Sequence, residues 1–371
     1  MSLRSEWRLP REGFTIDTLA RLFKHTALNP ALTLPLILLA RCTSRGQHVA
    51  STHPTALKHL KTLLYLGLAD RVSAWLDRAV ANNWTNDTYD WNKELVVVTG
   101  GSDGIGKEIV LLLSALSIRV AVIDIQPPTY DLPAAASYFH CDLSSPASID
   151  AALASIRTRF SADPTILINN AGVCFGKPLL STPPHLVRKT FDINTLSHFH
   201  LAQSLLPSMI ARNHGTIVTV ASQAAYVAAP YLADYAASKA AALSLHEALA
   251  AELATVYSAP KVRTIAVCQN YTRTKLFAGF KPGDGFVNYA LEPQTVAEAV
   301  VRAVLRGRSD LIVLPAAGWC ISAKVRGWPL WMQAGLRKRC VELMRGWRGR
   351  IVEQEGEKAE PEGGVDADEK E

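Results

Sequence analysis

A tyrosine and a lysine four residues apart could do acid–base chemistry in this chain. Tyr235 and Lys239 lie in the alanine-rich stretch 232–257, where helical spacing places them on one face, one turn apart. An ammonium group favours a neighbouring phenolate, so we expect the pKa of Tyr235 to fall from about 10 towards neutrality. Such a phenol can exchange a proton with an alcohol or carbonyl oxygen. Alone, such a pair is typical of an exposed helix face.

A serine at the end of an apolar run strengthens the catalytic interpretation. Ser222 ends the strand-like run 215–222, thirteen residues before Tyr235. At the carboxyl end of a parallel strand, its hydroxyl would point into a ligand crevice. We therefore expect Ser222, Tyr235 and Lys239 to act together, provided that the chain also binds a dinucleotide.

A glycine-rich turn predicts dinucleotide binding. It stands between an apolar run and a helical run, where glycines let the backbone approach a pyrophosphate and the helix N-terminus stabilises the negative charge. We expect its cofactor contacts to come from Thr99, Gly100, Ser102, Asp103, Gly104, Ile105 and Gly106.

Two acids near this turn favour NAD over NADP. Asp124 ends the second strand-like run, 18 residues after Gly106, which is close to the spacing expected of a carboxylate that binds a ribose diol. A carboxylate there repels a 2′-phosphate. Asp103 either opposes that phosphate as well or acts as a helix N-cap.

Seven apolar runs and five helical stretches alternate between residues 93 and 316. The runs are 94–100, 118–125, 135–141, 165–172, 215–222, 262–268 and 310–315, and the helical stretches are 106–117, 147–160, 184–212, 232–257 and 294–307. Near-continuous apolar strands between helices are typical of a parallel sheet that is covered on both faces. We therefore predict an α/β fold: a Rossmann-like, doubly wound, seven-stranded parallel sheet in a single catalytic domain with N- and C-terminal helical extensions.

Taken together, these motifs resemble the short-chain dehydrogenase/reductase superfamily from Leu95 to about Pro315. The resemblance adds Asp142-Leu143, the stretch 169–172 (Asn-Asn-Ala-Gly) and Asn194 to the motifs above. It implies that Tyr235 exchanges the proton and that Lys239 lowers the pKa of Tyr235 and binds the nicotinamide ribose. It also implies that Ser222 binds the substrate oxygen and that Asn194 supports a water chain to Lys239, although Asn194 could simply kink its helix. The further cofactor contacts that it implies are Asp142, Leu143, Asn170, Ala171, Gly172 and Thr274.

The chain departs from the family pattern after the sixth strand. Gln269 and Asn270 stand where the family often has Pro-Gly, whereas Thr274 keeps its place. Asparagine tolerates positive φ better than most residues, so we expect the backbone turn to survive at Asn270. The Thr274 hydroxyl would then meet the nicotinamide carboxamide.

The subgroup most similar to this chain is that of the membrane-associated retinol and 17-beta-hydroxysteroid dehydrogenases, in their fungal form. The resemblance is carried by a long N-terminal hydrophobic extension, by Asn270 and by a C-terminal segment rich in Trp and Arg. It implies a lipophilic alcohol or ketone as substrate, of retinoid, steroid or fatty-alcohol type. We expect the loop 275–292 to cover that substrate. Its Phe277, Phe280 and Phe286 either line an apolar pocket or belong to the core.

Charge and composition divide the chain into four segments. They are an N-terminal amphipathic extension (1–92), the dehydrogenase domain (93–316), a Trp/Arg-rich helical extension (317–352) and an acidic, disordered tail (353–371). The tail holds nine acids and two lysines, so the net charge of +6 hides a body of +13. A body of this charge fits an anionic membrane surface, as does the mean hydropathy of +0.09 for the whole chain. No nucleic-acid module supports the other common partner.

Three segments could contact lipid. Residues 26–40 carry no charge but are shorter than the roughly 20 residues of a spanning helix. Because Pro30 and Pro35 should interrupt a helix, we predict either an interfacial or re-entrant anchor or a buried segment. The helical stretch 57–81 either lies on a membrane or covers the main domain. The segment 318–350 either lies in the headgroup layer or packs on the domain.

These features favour an NAD(P)-dependent enzyme with no metal site. The six cysteines form no CxxC pair or Cys/His cluster, and scattered thiols suit a reducing compartment. We expect a membrane-associated protein on the cytosolic face of the endoplasmic reticulum or a lipid droplet, or otherwise a cytoplasmic one. A homodimer could form through 184–212 and 232–257. The alternative is a non-catalytic membrane or lipid-droplet protein that keeps the dinucleotide-binding fold.

Overall fold

A computed structural model describes residues 3–5, 8–280, 286 and 289–347 of the 371-residue chain. The acidic tail, the last basic residues of the C-terminal extension and part of the loop 275–292 lie outside the described residues. The expectations for those segments therefore stay predictions.

The core of the molecule is one parallel sheet in the order β3-β2-β1-β4-β5-β6-β7. Its strands are β1 Leu95–Thr99, β2 Arg119–Asp124, β3 Ala136–His140, β4 Ile166–Asn169, β5 Thr216–Val220, β6 Arg263–Gln269 and β7 Asp310–Leu314. Every residue of β1, β5 and β6 is buried, as expected for strands covered on both faces. The predicted doubly wound, seven-stranded sheet is confirmed.

Helices cover both faces of this sheet. The described α-helices are α1 Ile16–His25, α2 Pro30–Cys42, α3 Ser44–Thr52, α4 Pro54–Ala81, α5 Gly104–Ala115, α6 Pro146–Phe160, α7 Pro184–Phe191, α8 Ser197–Arg212, α9 Ala233–Thr255, α10 Pro293–Leu305, α11 Leu330–Arg339 and α12 Val341–Met344. Alternate strand residues face opposite sides, so Val96 and Val98 pack with α5 and α10, whereas Leu95 and Val97 pack with α6 and α8. The strand order reverses at β1, which opens a crevice at the carboxyl ends of β1 and β4.

The long helix predicted at 184–212 is divided in the structure. A π-helical segment, Asp192–Leu196, separates α7 from α8 and contains Asn194, which is fully buried. π-Helical turns are rare and occur often at functional sites. The sequence marked Asn194 but not this change in helical geometry.

The prediction that prolines interrupt residues 26–40 is wrong. Pro30 occupies the first position of α2, where a missing N–H costs nothing, and Asn29 caps the helix by accepting from the Ala31 amide at 3.1 Å. Pro35 lies inside the helix. The buried alternative is also not met, because the side chains of Leu32, Leu34, Leu36, Leu38 and Leu39 are each 45 to 57% exposed.

The N-terminal helices pack mainly on one another. α4 packs against α2 and α3 and leaves Tyr65, Val72 and Trp75 exposed. Among the described residues, no single helix has both the length and the apolar composition to cross a membrane. The pair α1 and α2, bent by 47° at their junction, meets both conditions together.

The C-terminal extension packs on the carboxyl edge of the sheet. Gln223, which follows the β5 end, donates to the Leu314 carbonyl at 2.8 Å and accepts from the Ser322 hydroxyl at 2.8 Å. Asp17 of α1 accepts from the Ala316 and Ala317 amides. The packed alternative therefore describes this extension, although Trp331 on its outer side is 75% exposed.

Candidate active site

The glycine-rich turn runs from β1 into α5 and leaves its backbone open to a ligand. Gly100 and Gly104 adopt φ values of +63° and +58°, which only glycine adopts without strain. A Cβ on Gly106 would lie 2.1 Å from the Gly100 carbonyl oxygen, so the third glycine permits close contact of helix and strand. This cradle fits a dinucleotide pyrophosphate at the N-terminus of α5.

Two predicted cofactor residues, Asn170 and Thr99, fix this turn through hydrogen bonds. The Asn170 side-chain amide donates to the Thr99 and Gly100 carbonyls at 3.0 and 3.1 Å. The Thr99 hydroxyl accepts from the Asn170 and Ala171 amides at 2.8 and 2.9 Å. Asn170 thus joins the end of β4 to the glycine-rich turn.

Asp124 lies at the end of β2 beside this turn. Its carboxylate accepts from the Ser102 and Gln126 amides at 3.0 and 3.2 Å. It is 8% exposed, and burial raises its pKa despite these hydrogen bonds. Asp124 lines the cleft together with Ile105, Asp142 and Leu143.

Asp103 has the N-cap position that the sequence left as an alternative. Its carboxylate accepts from the Gly104 amide at 2.9 Å, at the start of α5. It also pairs with Lys275, whose Nζ lies 2.8 Å from its Oδ2 atom. The cap is therefore also a link between two loops.

The structure brings Ser222, Tyr235 and Lys239 together, as their spacing predicts. Tyr235 lies in the first turn of α9 and is 4% exposed, and Ser222 is 8% exposed. The Lys239 Nζ atom lies 5.9 Å from the centre of the Tyr235 ring and donates to the Val220 carbonyl at 2.9 Å. All three line one cleft.

The expected fall in the pKa of Tyr235 is wrong for this structure. Burial raises the pKa of Tyr235 and the nearby Cys174 raises it further, whereas a hydrogen bond with Ser222 opposes the shift. Burial also lowers the pKa of Lys239 to about 8. Sequence spacing gave the proximity of the two groups but not their burial, which outweighs it.

Asn194 links α7 and α8 to the cleft. Its side-chain oxygen accepts from the Val173 amide at 2.8 Å, and its amide donates to the Val173 carbonyl and the Ser238 hydroxyl at 3.0 Å each. A Cβ on Gly172 would lie 3.3 Å from both the Asn194 side-chain oxygen and the Lys239 Nζ atom. Asn194 and Lys239 thus flank one bare stretch of backbone.

The turn after β6 survives without the expected backbone conformation. Asn270 does not adopt positive φ, and its amide donates to the Leu314 carbonyl at 2.7 Å as a continuation of the β6–β7 pairing. Thr274 faces the glycine-rich turn, where a Cβ on Gly104 would lie 3.4 Å from the Thr274 methyl carbon. Thr274 therefore keeps its predicted place in the cleft.

A cavity of about 570 Å³ extends from the glycine-rich turn past Tyr235. Phe277 and Phe280 line it, as predicted for the loop 275–292. Phe286 is not part of its lining; it is 38% exposed and its ring centre lies 6.4 Å from that of Phe14. The size is typical of a small-molecule site.

The C-terminal extension forms an apolar wall of this cavity, which sequence reasoning missed. The lining residues from α11, α12 and the turn between them are Leu336, Cys340, Leu343 and Met344. The Trp347 indole donates to the Leu276 carbonyl at 2.9 Å and thereby joins this wall to the loop after β6. The spacing of residues 336, 340, 343 and 344 on one helical face is a signal that could have revealed the wall.

Comparison with known proteins agrees with this architecture. The family model described as short chain dehydrogenase matches residues 94–284. The chain is 44% identical over 209 residues to Dehydrogenase RED2 of Cochliobolus heterostrophus, a match that covers 56% of this chain and 78% of that protein. It is 33% identical over 229 residues to Estradiol 17-beta-dehydrogenase 11 of Rattus norvegicus, a match that covers 59% of this chain and 75% of that protein.

Solved structures share the fold at low sequence identity. A 4-hydroxyisoleucine dehydrogenase complexed with NADH aligns with a TM-score of 0.52 at 22% identity, covering 59% of this chain and 96% of that one. A 3-ketoacyl-(acyl-carrier-protein) reductase from Brucella melitensis, complexed with NADH, aligns with a TM-score of 0.53 at 22% identity. That match covers 60% of this chain and 96% of the reductase. The chain belongs to the short-chain dehydrogenase family, and it is an NAD(P)-dependent oxidoreductase.

Proposed function

We propose that the protein transfers hydride between NAD(H) and a lipophilic alcohol or ketone of retinoid, steroid or fatty-alcohol type. The observation that carries this proposal is the position of Tyr235 and Ser222 on a cavity with mainly apolar walls. Phe277 and Phe280 lie on one side and the C-terminal extension on the other. The name of one relative, Estradiol 17-beta-dehydrogenase 11, supports the same substrate class.

The chain's own residues would handle the proton and hold the substrate oxygen. When bound, the nicotinamide supplies or accepts the hydride. The Tyr235 phenol would donate its proton to the carbonyl oxygen in reduction and regain it in oxidation, and Ser222 would hydrogen-bond the same oxygen. Lys239 would bind the nicotinamide ribose, and Asn194 would order water beside Lys239.

The chain's cofactor preference should be for NAD. Asp124 places a buried carboxylate beside the glycine-rich turn. A carboxylate accepts hydrogen bonds from a ribose diol and repels a 2′-phosphate. Ser102, Asp142, Leu143 and Gly172 would add contacts along the same cleft.

Replacing Tyr235 with Phe tests the catalytic proposal. Loss of the phenolic proton should reduce turnover at least about 10³-fold, because general acid–base catalysis contributes on that order. Oxidation of retinol, steroids and long-chain alcohols should be screened in the wild-type and Y235F proteins with NAD and NADP. NADH binding, measured by fluorescence titration, should persist in the variant.

Two outcomes would contradict this proposal. Substantial turnover by Y235F would exclude Tyr235 as the proton donor. A wild-type chain that binds neither NADH nor NADPH would instead favour the non-catalytic alternative, a membrane or lipid-droplet protein with this fold.

The segments 1–92, 93–316, 317–352 and 353–371 remain the proposed domain organisation. A homodimer would form through α7, α8 and α9.

We also propose that the protein associates with membranes at the cytosolic face of the endoplasmic reticulum or a lipid droplet. Leu36 and Leu39 of α2 are 52 and 57% exposed, as befits a helix that meets an apolar phase. Full-length protein should float with anionic phospholipid vesicles in a density gradient. Replacing both leucines with Glu should reduce the floating fraction severalfold, whereas L179E/L180E at an exposed site outside the N-terminal extension should not; equal flotation of all three proteins would contradict the anchor.

A further inference from the structure

Two loops meet across the cofactor cleft through one ion pair. Lys275 follows Thr274 in the loop after β6, and its Nζ atom lies 2.8 Å from the Asp103 carboxylate of the glycine-rich turn. Asp103 also caps α5 through the Gly104 amide at 2.9 Å. Both Lys275 and Asp103 line the cleft. The ammonium therefore lies beside the N-terminus of α5.

This is a poor place for a cation that serves only stability. The Lys275 side chain is 63% exposed, and exposed ion pairs contribute little to stability. The partial positive charge at a helix N-terminus opposes a neighbouring cation and favours an anion. Asp103 supplies one negative charge there, and a bound phosphate would supply more.

A nearby arginine shows what an ordinary pair in this loop looks like. Arg273 pairs with Glu292 at 2.8 Å and its side chain is 61% exposed, close to the exposure of Lys275. Arg273 does not line the cleft, whereas Lys275 does. The two cations differ in position rather than in charge or solvent exposure.

We propose that Lys275 binds the pyrophosphate of the dinucleotide, and that Asp103 competes with the cofactor for its ammonium. The proposal rests on the proposed function, since it needs the cofactor to lie across this cleft. The glycine-rich turn and α5 would bind the pyrophosphate through backbone amides, and Lys275 would add a charge-assisted hydrogen bond from the facing loop. Because Lys275 directly precedes Leu276 and Phe277, this bond would also hold that loop over the substrate.

The proposal requires Lys275 and Asp103 substitutions to have opposite effects. Lys275→Met removes the cation from the pyrophosphate. Asp103→Asn keeps an N-cap of equal quality, removes a competing anion and releases Lys275 to the phosphate. If the pair were only a structural clasp between loops, both substitutions would break it and weaken cofactor binding alike.

Binding of ligands with and without a pyrophosphate tests this directly. Kd values for NADH and NADPH would come from fluorescence titration, and those for ADP-ribose and adenosine from competition with NADH. K275M should weaken NADH and ADP-ribose by about tenfold, as expected for one partly exposed hydrogen bond between charged groups, and leave adenosine unchanged. D103N should tighten ADP-ribose severalfold, and R273M, the matched loss of charge, should change each Kd less than twofold.

Other outcomes would overturn the proposal. Equal losses in K275M and R273M would indicate a general effect of net charge. Weaker binding in both K275M and D103N would indicate a structural clasp, and a loss confined to NADPH would assign Lys275 to a 2′-phosphate. Wild-type protein that binds no NADH would refute the proposed function itself, whereas normal NADH binding by K275M would refute this inference alone.

Discussion

At the amino edge of the sheet a half-buried histidine is matched to two carboxylates, whereas at the carboxyl edge a buried lysine borders a cleft and has a backbone carbonyl as its partner. His214, just before β5, bonds Asp87 through Nδ1 at 2.7 Å and Glu94 through Nε2 at 3.2 Å. These carboxylates raise the pKa of His214, with Glu94 contributing most, although burial opposes them. At the other edge, Lys239 has a carbonyl as partner and its pKa is lowered by burial.

The difference shows that stabilising polar groups lie at the amino edge of the sheet and functional ones at its carboxyl edge. At the amino edge, the charge of His214 favours the folded state because its carboxylate partners are also in the fold. At the carboxyl edge, Lys239 is buried at a cost that its carbonyl partner offsets only in part. Charges held in this way are expected where a ligand supplies the remaining interactions.

Arg263 gives the largest test of the amino edge. Its guanidinium is 1% exposed and donates to the Asn82, Pro260 and Thr85 carbonyls at 3.1, 3.2 and 2.9 Å. Arg263→Met would leave the buried Thr85 carbonyl without its donor, whereas the Asn82 and Pro260 carbonyls keep the Thr85 hydroxyl as a donor. We expect the substitution to lower the free energy of unfolding by about 2 kcal/mol. Urea unfolding would measure this change.

Arg212 offers the matched control for that experiment. Its guanidinium is exposed and bonds Ser208 within the same helix, at 3.0 Å to the carbonyl and 3.2 Å to the hydroxyl. R212M should change the free energy of unfolding by less than about 0.5 kcal/mol. Similar losses in R263M and R212M would show that the amino edge has no special part in stability.

Most of the sheet and of the cleft could be predicted from the sequence, for physical reasons. The five inner strands are buried on both faces and produce continuous apolar runs, and the half-exposed edge strands β3 and β7 also have apolar runs. All seven strands were therefore predicted within a few residues. The motif residues were found because Tyr235 and Lys239 share a helix face and because Gly100, Gly104 and Gly106 meet a steric demand of the turn. These are local properties that a sequence records directly.

The remaining features depend on contacts between distant segments. The π-helical segment around Asn194 forms where that side chain bonds Val173 and Ser238. The raised pKa of Tyr235 comes from burial by residues such as Met344, which lies over a hundred positions away. Pro35 inside α2 and the C-terminal wall of the cavity likewise follow from packing rather than from local preference.

Lys239 gives the smaller stability test, because its substitution should raise the free energy of unfolding, whereas Arg263→Met lowers it. Its folded pKa of about 8 lies below the ordinary value of 10.5. Between these values the unfolded chain binds more protons than the folded one, so stability rises with pH through this window. Below pH 8 the full cost of burying the ammonium is present. Lys239→Met should therefore raise the free energy of unfolding at pH 7 by about 1 kcal/mol, since the lost bond to Val220 cancels part of the gain.

This gain should shrink as the pH rises from 8 to 10.5, because deprotonation removes the cost in the wild-type protein. Thermal unfolding of wild type and K239M at pH 7, 8.5 and 10 would measure it, with the exposed Lys261→Met as control. K239M should also lose turnover, because the proposed bond from Lys239 to the nicotinamide ribose could not form. A variant that is less stable than wild type at pH 7 and gains nothing from lower pH would place Lys239 among the stabilising charges, and the contrast between the two edges would then fail.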